Sequence, residues 1–142
     1  MAIRASSTGH LVLSTLHTNS AAASLSRLRN MGIPTFNLAH SIQLIIAQRL
    51  VRKLCPHCKK PSEATFFEAQ GCELCTEGYT GRVGVYEMLP VDERLSRLII
   101  DEADTLDIEK FGRDAGHLGL RQACLEKVRC GLTSIEEANR LA

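Results

Sequence analysis

Two cysteine doublets constrain this chain more than any other feature. CPHC at Cys55–Cys58 and CELC at Cys72–Cys75 are separated by 13 residues. Two thiolates at C-x2-C spacing can grip one ion through a tight turn, and two such turns complete a tetrahedron. Pro56 and Gly71 supply turn geometry beside them. The intervening stretch is slightly shorter than is usual for such pairs but long enough for a loop to return. The spacing predicts a Zn2+ site formed by Cys55, Cys58, Cys72 and Cys75. Free buried thiols and two disulfides are the alternatives that the same spacing allows. Four thiolates close the coordination sphere, so the site would be structural and leave no open position for catalysis. His57 would then be a solvent-facing spacer inside the first doublet. Cys124 and Cys130 lie six apart, share no helix face, and read as ordinary small apolar residues.

A metal reading of paired cysteines presupposes a reducing compartment. The N-terminus, MAIRASSTGH, has no apolar segment of the kind that directs secretion, so a cytoplasmic location is expected. The longest apolar runs are four or five residues, far too short to insert into a membrane. The chain has 142 residues, of which 44% are hydrophobic and 23% charged, enough for a real core. With no Trp, two Tyr and four Phe, that core must be aliphatic. The formal net charge of +1 predicts no nucleic-acid partner, because no basic field is available to meet phosphates.

Pattern along the chain predicts an α/β fold that is mostly α. Leu11-Val12-Leu13 reads as a strand buried on both faces, with His10 and His17 at the ends of its apolar stretch. Asn19 and Ser20 are good caps for a helix carrying Ala22, Leu25 and Leu28, ended by Gly32 and Pro34. A second helix is expected from about Asn37, with Leu38, Ile42, Ile45, Ile46 and Leu50 as its apolar stripe. Residues 55–87 look irregular, with one short strand at Val83–Tyr86. Leu95, Leu98 and Ile99 fit one later helix, and Leu120, Cys124 and Val128 fit another that Gly131 ends. Two overlapping capping boxes in Thr133–Glu137 open a last short helix.

One motif misleads. Leu98–Asp104 spells an apolar run followed by D-E-A-D, the literal magnesium signature of a helicase. A phosphate cradle of the form G-x-x-x-x-G-K-[ST] should accompany it, and the chain has no Gly-Lys pair. The surrounding VDERLSRLIIDEAD is spaced as a helix, so the string reads as a helix end. GYTGRVG at Gly78–Gly84 is not a dinucleotide fingerprint either.

Four segments in order, TGHLVLSTLHTNSA, RLRNMGIP, LIIAQRLVRKLCPHC and GCELCTEGYTGRVGVYEML, resemble the C-terminal part of the secretion ATPases. These are the motors of type II secretion and type IV pilus assembly. The resemblance implies the C-terminal part of a RecA-like domain over 1–54, a zinc-knuckle subdomain with a return strand over 55–90, and a helical tail over 91–142. It implies a parent that is a cytoplasmic homo-hexamer, peripheral to the inner membrane, hydrolysing ATP with Mg2+ and engaging an inner-membrane platform protein. Of the family's nucleotide elements, only the histidine box is matched, at Thr8–His17. The resemblance places the phosphate loop, aspartate box and Walker B segment upstream of Met1, so this chain alone is expected to be inactive. His17 is the better candidate for sensing the γ-phosphate or orienting a catalytic carboxylate, and His10 for a structural or interface role. Arg82, Gly84 and Tyr86 are implied to lie near the adenine. A stand-alone zinc-binding interaction module is the alternative; it explains the cysteines but not the histidine box.

Overall fold

The computed structural model describes residues 2–62 and 66–141. Seven helices and four strands are formed among them: α1 (Ala2–Ser7), α2 (Ala21–Asn30), α3 (Thr35–Ser41), β1 (Leu44–Leu54), β2 (Lys60–Pro61), β3 (Phe67–Glu68), β4 (Tyr79–Pro90), α4 (Glu93–Ile100), α5 (Thr105–Asp114), α6 (Leu120–Arg129) and α7 (Ile135–Asn139). β1 pairs with β4, and β2 with β3. The chain divides into two compact units, each assembled from two separate stretches. One comprises Met1–Ala47 with Glu87–His117, the other Gln48–Tyr86 with Leu118–Ala142.

In the first unit α3 packs on α4, α2 on α5 and α1 on α3. Leu25, Leu38, Leu95, Ile99 and Ile108 are fully buried, an aliphatic core as the composition requires. The helix ends follow their sequence signals. Ser20 caps α2 through its hydroxyl, which accepts from the Ala23 amide at 3.1 Å. Gly32 (φ +81°) then ends α2 in a Schellman motif: its N–H bonds the Arg29 carbonyl and the Ile33 N–H bonds that of Leu28. The D-E-A-D string lies at the end of α4, the helix end that its spacing predicted, and it leads straight into α5, a helix that the pattern did not reveal. Asp101 is the C-cap of α4, Glu102 carries the left-handed turn (φ +57°), and Asp104 caps α5 by accepting from the Asp107 amide.

In the second unit α6 packs on α7, and Val51, Leu54, Val85, Leu120, Cys124, Val128 and Ala138 are buried. Cys124 is wholly buried, in keeping with a small apolar residue, whereas Cys130 is exposed just past the end of α6.

Two expectations are corrected. The helix expected from Asn37 to about Leu50 stops at Ser41, and residues 44–54 form β1. Ile45, Ala47 and Val51 are buried while Leu44, Ile46 and Leu50 are exposed, the alternation of a strand. Both faces of β1 are apolar in this stretch, so the sequence fits helical and strand periods alike. The buried strand expected at Leu11–Leu13 is absent: the stretch has no regular structure, and Leu11 and Leu13 are 85% and 88% exposed. A strand exists only through a neighbour's hydrogen bonds, and no strand among the described residues lies beside this one. The short strand expected at Val83–Tyr86 is real but longer, running from Tyr79 to Pro90.

Candidate metal centre and histidine segment

The four cysteines of the two doublets converge. The Sγ atoms of Cys55, Cys58, Cys72 and Cys75 all lie within 4.8 Å of one another. Cys55–Cys72, Cys58–Cys75 and Cys72–Cys75 are separated by 3.9, 3.7 and 3.6 Å. A tetrahedron with sulfur 2.3 Å from its centre has edges of about 3.8 Å, so the donor set fits a tetrahedral thiophilic ion. The same distances are far too long for disulfide bonds, and all four thiols are free. Cys55 is buried and the other three are half-buried, while His57 points to solvent and is no ligand.

The backbone is bent for this purpose. Gly71 (φ +103°) and Gly78 (φ +85°) flank the second doublet in conformations that side chains resist. At Gly78 a Cβ would stand 2.6 Å from that of Ala69, so only glycine fits. The Gly78 carbonyl accepts from the Cys55 amide at 2.8 Å, joining one doublet to the other. The thiols perturb each other strongly. Burial raises Cys75, but the Cys72 amide, the neighbouring thiols of Cys72 and Cys58, and the Gly78 amide outweigh it and bring Cys75 down to about 7. At Cys72 the Leu74 amide acts downward, yet burial and the three other thiols together push the group up to about 12. Four thiols in one place cannot all ionise without a cation among them.

Around the cluster lies a polar network that the sequence pattern did not reveal. Arg52, on β1, donates from its backbone N–H to Glu137 Oε2 (2.8 Å) and from Nε to Oε1 (3.0 Å). Its guanidinium stacks on the Tyr79 ring at 4.0 Å and reaches the Glu77 carboxylate at 3.5 Å. Tyr79 Oη is 2.7 Å from Ser134 Oγ, the N-cap hydroxyl of α7. Thr133 donates to the Arg52 carbonyl at 2.7 Å. Burial raises the Glu137 carboxyl, but the Arg52 amide and guanidinium and Arg140 together hold it below its ordinary value. Glu137 stands at the third position of α7, where the capping box calls for a residue that turns back on the cap. Its carboxylate goes instead to Arg52, a departure that the ordinary capping-box pattern in the sequence does not signal.

The histidine segment has no comparable enclosure. His10 and His17 are both exposed on the irregular stretch between α1 and α2. His10 Nδ1 lies 3.1 Å from Thr8 Oγ1. After His17, Thr18 is anchored to α2 by its hydroxyl, 2.7 Å from that of Ser24. Glu87, on β4, meets the amide of Ala21 at the start of α2. Burial and Glu109 raise its carboxyl, against that amide. Arg82, Gly84 and Tyr86 alternate along β4. Gly84 makes room for Tyr86, because a Cβ there would stand 2.6 Å from Tyr86 Oη. Gln48 donates to that Oη at 3.4 Å. No helix among the described residues is long and apolar enough to cross a membrane.

Comparison with known proteins adds the context. A family model described as "Type II/IV secretion system protein" matches residues 1–140. The chain is 47% identical to the type IV pilus assembly ATPase PilB of Pseudomonas aeruginosa, over 99% of its own length and 28% of that protein's. It is 44% identical to the type II secretion system ATPase E of Vibrio cholerae, over 99% of itself and 31% of the relative. It thus spans under a third of these two curated relatives. Among solved structures it resembles the pilus retraction motor PilT with bound ADP, with a TM-score of 0.70 and 25% identity over 99% of this chain and 35% of that one. The Legionella pneumophila ATPase DotB has a TM-score of 0.64 at 22% identity, over 98% of this chain and 33% of that one. The fold is therefore part of the α/β fold of a RecA-like motor. The family match spans the histidine segment and the cysteine cluster together, which a free-standing zinc module leaves unexplained.

Proposed function

Because the chain belongs to the Type II/IV secretion system protein family, we infer that it works as the C-terminal part of a hexameric cytoplasmic ATPase. That motor powers type IV pilus assembly or type II secretion, peripheral to the inner membrane and against a platform protein there. The observation that carries the reading is the presence, in one chain, of the family match over 1–140 and the converged cysteine cluster. The resemblance to the secretion ATPases, whose assembly members often carry a tetracysteine subdomain that retraction motors generally lack, makes the cluster a mark of an assembly motor. In this reading residues 1–54 close the motor core, 55–90 form the metal subdomain with its return strand, and 91–142 form a helical tail.

Cys55, Cys58, Cys72 and Cys75 would hold Zn2+, which supplies structural cross-linking and no chemistry of turnover. His17 lies at the foot of α2, where Thr18 and Ser20 fix the chain's path. A neutral imidazole there donates one hydrogen bond and accepts another, and so can link a phosphate oxygen of ATP·Mg2+ to a water or a carboxylate. His10, on the same segment, serves a structural or interface role, and Arg82, Gly84 and Tyr86 border the adenine. The chain contains no Gly-Lys pair from which a phosphate loop could be built, so by itself it turns over no ATP.

The test is His17→Ala in the full-length motor. Losing one contact made in the transition state lowers turnover about 10²–10³-fold. Thermal unfolding and metal content should stay unchanged, since His17 is exposed and lies outside the cluster. Normal turnover in a variant that melts earlier would instead make His17 a structural residue.

A further inference from the structure

We propose that the metal cluster is a clasp for the C-terminal helix α7, with Tyr79 and Arg52 as the residues that transmit its state. The proposal rests on the reading of the four cysteines as a zinc site. The loop bearing the cysteines has no core of its own, since none of its described residues from 56 to 77 is buried. Among its described residues the only sheet is the pairing of two two-residue strands, β2 and β3. Such a segment depends on its ion for order.

Helix α7 is equally dependent. Five residues are too few for a helix to hold itself in water, so its order comes from tertiary anchors. α6 supplies one anchor, by packing on α7 and through Arg121, which donates to Asn139 Oδ1; the others lead back to the knuckles. Thr76, directly after Cys75, exchanges backbone hydrogen bonds with Tyr79 at 3.1 and 2.9 Å. The turn at Cys75 therefore sets where Tyr79 stands, and Tyr79 Oη holds the cap hydroxyl of Ser134. Arg52 stacks on that same ring, contacts Glu77 in the same turn, and grips Glu137 inside α7. The first knuckle makes a second link. Lys59, next to Cys58, donates to the Gly131 carbonyl at 2.8 Å and lies over the Phe67 ring, which packs against Gly131. Leu54, next to Cys55, donates to the Leu132 carbonyl at 3.0 Å. Both knuckles thus hold the turn from which α7 starts. Losing the ion frees the Cys75 turn, moves Tyr79, and releases Ser134 and Glu137 together.

The experiment is amide hydrogen exchange on the 142-residue chain, zinc-loaded and after chelation under reducing conditions, with zinc content measured in both. Chelation should speed exchange in residues 132–141 by about tenfold or more, and leave α4 and α5 unchanged. Tyr79→Phe, with its zinc retained, should speed exchange there by about threefold to tenfold, the loss of one hydrogen bond. A protein that carries no zinc overturns the metal reading and the clasp with it. Zinc present but exchange at 132–141 unmoved by chelation overturns the clasp alone. Equal acceleration throughout the chain also overturns it, because the ion would then support the whole fold and not α7.

Discussion

Glu137 shows how one buried side chain can carry two jobs. It is 4% exposed and takes hydrogen bonds from the Arg52 amide and guanidinium and from Arg140. Removing its charge leaves the Arg52 donors partly unmet, so Glu137→Gln should lower unfolding free energy by about 1.5–3 kcal/mol in denaturant titration. The pH dependence has a definite sign. A carboxyl held below its ordinary 4.5 adds stability that is present above that value and lost as pH falls through and beneath it. The wild type should therefore lose stability between pH 7 and pH 3 more steeply than Glu137→Gln. Parallel acid profiles for the two proteins would show that the carboxylate is not charged and paired. Neither Arg52 nor Tyr79 stood out in the sequence, because an arginine on a strand and a tyrosine after a turn are each ordinary. Their partners lie 85 and 55 residues away, and no local pattern encodes that distance.

At the scale of elements, several helix starts follow a local rule, but α1 and α5 were not anticipated, α3 stops short of the helix expected there, and of the strands only the middle of β4 was read. Ser20, Asp92, Asp104 and Ser134 all cap helices through their own oxygen atoms, a rule confined to four consecutive residues. The C-terminal ends follow a rule of their own, glycine at C′, and Glu102 is its exception. It occupies the C′ position of α4 with φ +57°, where α2, α5 and α6 each use a glycine. The left-handed conformation disfavours any side chain with a Cβ, so Glu102→Gly should stabilise the α4–α5 connection by up to about 1 kcal/mol. Its melting temperature should rise; a fall would show that the Glu102 side chain makes a contact that outweighs the strain. The strands resisted reading for a different reason. β1 is apolar on both faces between Leu44 and Val51, so a period of two is masked. Leu11–Leu13 has the composition of a buried strand but stands exposed, since composition supplies no partner.

At the scale of the whole molecule, the cysteine cluster lies in the second unit, and the proposed zinc site is tested by its metal content. Purified chain should contain about one zinc per protomer, and Cys55→Ser should lose it, because three thiolates no longer complete the tetrahedron. Elemental analysis of both proteins under reducing conditions is the measurement, and unchanged metal in the variant would remove Cys55 from the site. The four converging cysteines were identifiable from spacing alone because C-x2-C geometry is a local property of a turn. The cap at Ser20, the capping box before α7, the apolar helix faces of α4 and α6, and the D-E-A-D string as a helix end were determined by the sequence for the same reason. Each depends on residues within one or two turns of each other. What the tertiary structure decided was everything that needs a distant partner. It set the strand at 44–54, the exposure of the histidine segment, the division into two discontinuous units, and the path from Cys75 through Tyr79 to α7. Hydrogen bonds of sheets and buried ion pairs join residues far apart in the chain, and their energies belong to the pair, so no single segment carries the information alone.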